Sequence, residues 1–524
     1  MTWPSTPNGL PRRAFWLGLL IALACAGYAT WVRLGQLDTW KSQPAVYFPG
    51  GVPAMTTLDA YYSLRWAQAH LSGTYRPEAD DPLRRHQTIQ YPVGVSKILP
   101  DASLLDWRPR REPLRLPALS WMLAAVQPYT GSVEVAGLYL IPILANLFII
   151  PLFLYAWRLG YPAAGLMGGL VATFSVSYYA RTSVGWVDTD CLNLFFPWTA
   201  SLLIVCMNAQ QRRSTLLLLS AALGVTLFLY FRWYEKAAFA YLYWATLALH
   251  LALQRVRPRL LALCVATCVL LSHPIQAVLG AGNVAMLADR YLFGTSAISD
   301  FSPAARLFPD VMATVGELQR TDWMTALEAI LAQPTAVMIG VLSCAVLAVG
   351  RWRNFVPLLP LMALGGLALV RGTRFAMYLA PFAGIGLGVL IEVAVRGFMA
   401  PRRSGTTPAP AANDRQPATQ VAKGVAAMPG GRQILVAYAA VLVVFFAGLK
   451  GMTGIGQIRK PAIPTATVTA LLELGQKLPP GTPLWTWWDY GYAIAHLTSL
   501  ATYHDGGGQF TPQTEVAPQS RTGE

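Results

Sequence analysis

The sequence predicts an all-α polytopic membrane protein that ends in a small extracytoplasmic α/β segment. Three observations carry the membrane reading. Of the 524 residues, 54% are hydrophobic and only 12% charged, against about 25% charged in a soluble domain. The apolar residues gather into long runs instead of scattering. The arginines gather between those runs.

A helix crossing the hydrocarbon core needs roughly 20 apolar residues. Such runs start near Phe15, Val135, Ala163, Cys191, Thr215, Ala237, Leu260, Thr335, Phe355, Phe375 and Ile434. The first follows Arg12 and Arg13 and extends from about Ala14 to Val32. It is too long for the apolar core of a signal peptide and reads as a first transmembrane helix with a cytoplasmic N-terminus. Alternating the runs from that start places Arg158, Arg212 and Arg213, then Arg255, Arg257 and Arg259, then Arg351 and Arg353 inside. Arg396, Arg402, Arg403, Lys423 and Arg432 follow on the same side. Every basic cluster falls where the positive-inside rule wants it. The net charge of +15 therefore marks topology, and no recognition motif points to nucleic acid. The six cysteines, Cys25, Cys191, Cys206, Cys264, Cys268 and Cys344, lack zinc spacing and read as small buried hydrophobes.

The loops on the opposite side are the informative ones. They cover about residues 33–132, the short "RTSVGWVDTD", about 281–334, and everything after Gly451. Residues 404–429, rich in Ala, Pro, Thr and Gln, read as a flexible cytoplasmic linker. The expected division is a membrane domain over 1–450 and an extracytoplasmic segment over 451–524.

These outer loops carry Asp59 in "TTLDAYY", Asp188 and Asp190 in "DTD", and Glu317 in "TVGE". A single loop acid is usually just solvated. Two carboxylates flanking one residue repel each other unless a cation intervenes, and hard oxygen ligands suit Mg²⁺ or Mn²⁺. Arg374 opens an apolar helix on the same side. It reads equally as a snorkelling interface residue or as a phosphate clamp.

"TTLDAYY", "YYARTSVGWVDTD", "TVGE", "RFAMYLAP" and "WWDYG" at Trp487–Gly491 occur in that order. Together they resemble the STT3-type catalytic subunit of oligosaccharyltransferases, including the bacterial PglB and archaeal AglB enzymes. The resemblance implies a GT-C fold of thirteen transmembrane helices, so that about 11–13 are expected here. It implies en bloc transfer of a glycan from a polyprenyl diphosphate lipid to the side-chain amide of Asn in Asn-X-Ser/Thr sequons. The implied partners are a lipid-linked oligosaccharide, a sequon-bearing polypeptide and membrane lipid. Asp59, Asp188 and Glu317 would hold the metal, with Asp190 supporting that site. Asp59 and Glu317 would also hold the acceptor amide. Arg181 would stand beside the acids, and Arg374 would bind the donor diphosphate. Trp487, Trp488 and Asp489, with Tyr490 and Gly491 completing the motif, would hold the sequon hydroxyl. The long loop bearing Glu317 would close as a lid. The implied location is a bacterial inner membrane, with the active site and C-terminus periplasmic.

The family's C-terminal domain continues well past WWDYG. Here the expectation is a shortened domain, marginal alone, that leans on the outer loops, with relaxed sequon stringency or low activity. A monomer and an assembly whose partner completes the domain both stay open. The competing reading is another GT-C glycosyltransferase using a polyprenyl-phosphate sugar, which would not need WWDYG.

Overall fold

The computed structural model of the protein describes residues 11–89, 105–113, 115–234, 237–275, 322–370, 372–400, 430–484 and 486–502. Glu317, the 404–429 linker and the stretch after Thr502 lie outside them.

Among the described residues, five helices are long and apolar enough to cross a membrane. They are Arg12–Ser42, Val133–Leu159, Arg213–Tyr234, Thr373–Phe398 and Gly431–Met452. Pro334–Gly350 and Trp352–Leu367, bent by 117°, make a sixth if taken as one span. Shorter apolar helices cover Pro162–Phe174, Thr189–Val205, Ala238–Leu253 and Pro258–Leu271. Each run expected from the sequence falls on one of these helices, although four of the eleven fall on the shorter helices and two on the bent pair. Pro162–Phe174 shows why a short one is tolerated. All 13 of its residues are buried, so protein and not lipid surrounds its ends, where free backbone groups would be costly.

The outer helices turn large apolar side chains outward. Trp16, Leu20, Leu218, Leu270, Leu342 and Val346 are exposed. In water such stripes would form adhesive patches; facing lipid, they are the expected surface. The chain is a multi-pass membrane protein.

The centre of the bundle is held by close backbone approach. The Ala376–Phe398 helix packs against Pro162–Phe174 and Pro334–Gly350. A Cβ on Gly386 would sit 1.7 Å from the Gly340 carbonyl oxygen, and one on Gly340 would sit 2.2 Å from that of Ala383. Small residues let membrane helices approach this closely and gain dispersion contacts.

The long first outer loop has structure of its own. It contains helices Ala60–Leu71 and Ala118–Thr130 and a hairpin of β1 (Asp80–Ile89) and β2 (Leu105–Arg111). A buried Arg65–Asp81 ion pair ties the first helix to the hairpin. The C-terminal segment contributes helices Thr465–Lys477 and Gly491–Thr498 with β3 (Pro483–Leu484) and β4 (Ala501–Thr502). These strands complete a sheet in the order β2-β1-β4-β3. Strand β4 runs parallel to β1, with Thr502 opposite Arg84. The segment does lean on the outer loop: Ala462 N–H donates to the Met55 carbonyl at 2.9 Å, and the Thr465 hydroxyl to that of Val46 at 3.2 Å. Leu471, Ile494 and Leu500 form its small core.

Candidate active site

The acids are assembled by a buried polar frame. Arg33, at the end of the first helix, is fully buried. Its guanidinium donates to the Thr173 carbonyl at 2.6 Å, to the Thr182 hydroxyl at 2.9 Å and to Asn146 Oδ1 at 3.2 Å. A buried cation persists only when its donors are satisfied in this way. Thr182 stands next to Arg181, so the network fixes the start of the loop that carries both aspartates.

Gly185 fixes its middle. Its φ is +83°, and a Cβ there would lie 2.5 Å from the Trp40 ring. Glycine is required on both counts. The Gly185 carbonyl accepts the Thr56 N–H at 3.0 Å, which brings the segment ending in Asp59 onto the DTD loop.

Asp188 caps the turn Thr189–Leu192, its Oδ1 accepting the Thr189 N–H at 2.6 Å. It keeps part of its surface open, yet it is surrounded by protein. Burial, then the charges of Asp190 and Asp59, push its carboxyl up to about 7. Asp190 is buried, and both its oxygens are engaged: Arg181 Nε donates to Oδ2 at 2.6 Å and Asn193 Nδ2 to Oδ1 at 3.0 Å. Asp59 is exposed at the head of the Ala60–Leu71 helix.

The distant motif reaches the same place. Trp488–Tyr490 forms a tight turn leading into the Gly491–Thr498 helix, and Trp487 is half exposed. Burial and the charge of Asp59 raise the Asp489 carboxyl above its usual range, partly offset by a hydrogen bond from the Trp487 side chain. The helix after the motif is tethered by His496 Nε2 to Glu134 Oε1 at 2.9 Å and by Tyr492 against Tyr62. Arg374, in the turn Thr373–Phe375, shares its surroundings with Tyr234, which lies within electrostatic reach of Arg374, Asp188, Asp190 and Arg181.

Four segments far apart in sequence thus meet: Asp59, the Arg181–Asp190 loop, Arg374 and WWDYG. Among the described residues no group of three or more His, Cys, Asp or Glu is placed to hold a metal. Asp190 faces Arg181 and Asn193, and Glu317 lies outside the described residues. Beside the acids opens a cavity of about 560 Å³ lined by Arg181, Arg374, Arg459, Glu328, Thr373 and Gln457 among others. Arg459 is not among the residues the motifs single out. Its one signal was a basic pair, Arg459–Lys460, in an otherwise uncharged stretch after Gly451.

Residues 107–400, more than half of the chain, match the family model described as oligosaccharyl transferase STT3, N-terminal. The chain is 21% identical over 429 residues to the undecaprenyl-diphosphooligosaccharide–protein glycotransferase of Campylobacter jejuni, covering 75% of this chain and 56% of that protein. It therefore spans little more than half the length of the curated relatives it matches. Among solved structures it is similar to the archaeal oligosaccharyltransferase AglB from Archaeoglobus fulgidus in complex with an inhibitory peptide and a dolichol-phosphate. The TM-score there is 0.57 at 14% identity, covering 93% of this chain and 65% of that one. The apo form of the Archaeoglobus enzyme gives a TM-score of 0.54 at 14% identity over the same shares. These two likenesses are of fold. With the family match over residues 107–400, the chain belongs to the oligosaccharyl transferase STT3 family.

Proposed function

We propose that this chain transfers a glycan en bloc from a polyprenyl diphosphate lipid to the side-chain amide nitrogen of Asn in Asn-X-Ser/Thr sequons. One observation carries the reading: Asp489 of WWDYG feels the charge of Asp59, and Asp59 feeds the upward shift of Asp188. An acceptor read by the motif would present its asparagine to those carboxylates.

The roles follow from the chemistry. An amide nitrogen is a poor nucleophile because its lone pair is delocalised, and breaking the related conjugation in a peptide costs about 18–20 kcal/mol. Asp59 and Glu317 would accept the amide N–H groups and favour a twisted, more nucleophilic amide. The nitrogen forms a bond to the first sugar carbon while that carbon's bond to the diphosphate oxygen breaks. The diphosphate leaves with the electron pair, and the amide proton passes to a carboxylate. Arg374 would hold the departing diphosphate by charge-assisted hydrogen bonds. Trp487, Trp488 and Asp489 would hold the Ser or Thr hydroxyl, with Tyr490 and Gly491 shaping the turn.

The donor set suits a hard divalent cation. Asp59 raises the cost of ionising Asp188, which a cation held by the two would relieve. Asp59, Asp188 and Glu317 would be its ligands, and Asp190 would act through Arg181 and the loop. When bound, Mg²⁺ or Mn²⁺ would supply Lewis-acid stabilisation of the charge on the leaving diphosphate.

We place the membrane domain at 1–450 and the motif-bearing segment at 451–524, in a bacterial inner membrane with the N-terminus cytoplasmic and the site periplasmic. The lipid tail of the donor explains why such a site sits at a bilayer edge. The test is co-expression with a lipid-linked glycan pathway and a sequon-bearing periplasmic acceptor whose mass is read. Wild type should add the glycan mass, and Asp59→Ala and Glu317→Ala should lose it. No shift with wild type under metal-replete conditions would overturn the reading.

A further inference from the structure

We propose that Arg459 is a second phosphate-binding residue of the donor site, one that selects a diphosphate lipid over a monophosphate lipid. The inference rests on the donor reading above and deepens it.

The cavity beside the acids has room for a ligand headgroup; small-molecule sites typically span about 300–1,000 Å³. Among the described residues, three arginines and one acid, Glu328, line it. Arg181 is held by Asp190. The two other guanidiniums come from distant parts of the chain. Arg374 stands at the head of a membrane helix, and Arg459 lies in the loop leading to the WWDYG segment.

Arg459 is exposed but not unsupported. Its guanidinium carbon lies 4.5 Å from the centroid of the Trp186 ring, and that of Arg181 lies 5.2 Å from the same ring. Stacking on an indole engages the face of a guanidinium and fixes its plane, whereas oxygen acceptors bind at its N–H edge. Trp186 precedes Asp188 by two residues, so an anion held at Arg459 sits beside the acidic loop. A single guanidinium can grip one phosphate bidentately. A second one, brought to the same cavity by another segment of the chain, matches a second phosphate. A monophosphate lipid would use the Arg374 clamp alone.

The test uses the full chain in lipid nanodiscs, titrated with undecaprenyl diphosphate and with undecaprenyl phosphate and followed by intrinsic tryptophan fluorescence. Wild type should prefer the diphosphate lipid. Arg459→Gln should weaken diphosphate binding by about tenfold or more, as expected for one lost charge-assisted contact, and leave monophosphate binding nearly unchanged. Arg459→Lys should fall between, and Arg374→Gln should weaken both. Unchanged melting of the Arg459 variants confirms that folding is intact. If Arg459→Gln keeps the wild-type preference, or weakens both lipids equally, this inference is wrong and the donor reading stands. If wild type binds no diphosphate lipid, the donor reading falls and takes the inference with it.

Discussion

Arg181 donates its Nε proton to Asp190 Oδ2 across 2.6 Å, with the two side chains only 8% and 2% exposed. The second aspartate of the DTD motif is thereby an anchor for an arginine on the turn before it. Removing one partner of a buried pair leaves the other charge uncompensated, at about 3–5 kcal/mol. Arg181→Ala should therefore melt far below wild type. Arg181→Ala with Asp190→Ala should recover part of the loss. Thermal unfolding of the four proteins of the cycle gives the coupling, and additive losses would show that the pair contributes nothing as a pair.

Asp188 should make stability fall as pH rises. Its folded carboxyl is raised from 3.8 to about 7. Between those values the folded chain binds a proton that the unfolded chain has released, so stability declines as pH climbs through that window. Melting without divalent cations should be lower at pH 8 than at pH 5.5. Asp188→Asn should flatten that difference, and Mg²⁺ or Mn²⁺ at pH 8 should raise the wild-type melting point.

The contact of Gly386 with Gly340 leaves no room for a methyl group. Overpacking a tight interface costs about 1–3 kcal/mol, so Gly386→Ala should destabilise by that order. Gly397 lies on the same helix, and a methyl group there would meet nothing within 4 Å; Gly397→Ala should be neutral or slightly stabilising. Equal melting points for the two variants would refute the close-packing argument.

The His496–Glu134 contact ties the motif helix to the Val133–Leu144 helix. His496→Ala should cost about 1.5–3 kcal/mol, the range for a hydrogen bond to a charged group. The loss should appear as faster protease cleavage within the C-terminal segment, and the membrane helices should keep their melting behaviour. Cleavage at the wild-type rate would mean that the sheet and the Tyr492–Tyr62 contact hold the segment without it.

Much of the helical body was legible because apolar runs long enough for lipid have few soluble uses. The acidic loop was legible for a similar reason, since DTD sits at the mouth of an apolar helix where solvation is poor. What escaped depended on tertiary contact. Strand β1, "DDPLRRHQTI", has no apolar alternation and pairs with residues from the far end of the chain. The Ala118–Thr130 helix lies inside what reads as loop, since its outer-loop neighbours and not its length determine its place. Arg459 gains meaning only from the Trp186 ring beneath it. The buried Pro162–Phe174 helix reads as a full span in sequence because composition does not reveal whether lipid or protein surrounds a run.

The pairing of Arg84 with Thr502 joins an early strand to the last described one. A ribosome would have delivered nearly every membrane helix, and the whole β1–β2 hairpin, before β4 emerged. The hairpin must then wait with an open edge until Ala501 and Thr502 emerge, and the WWDYG turn can dock only with them. Nascent chains stalled before that point would hold Asp59, the Arg181–Asp190 loop and Arg374 without a docked WWDYG turn.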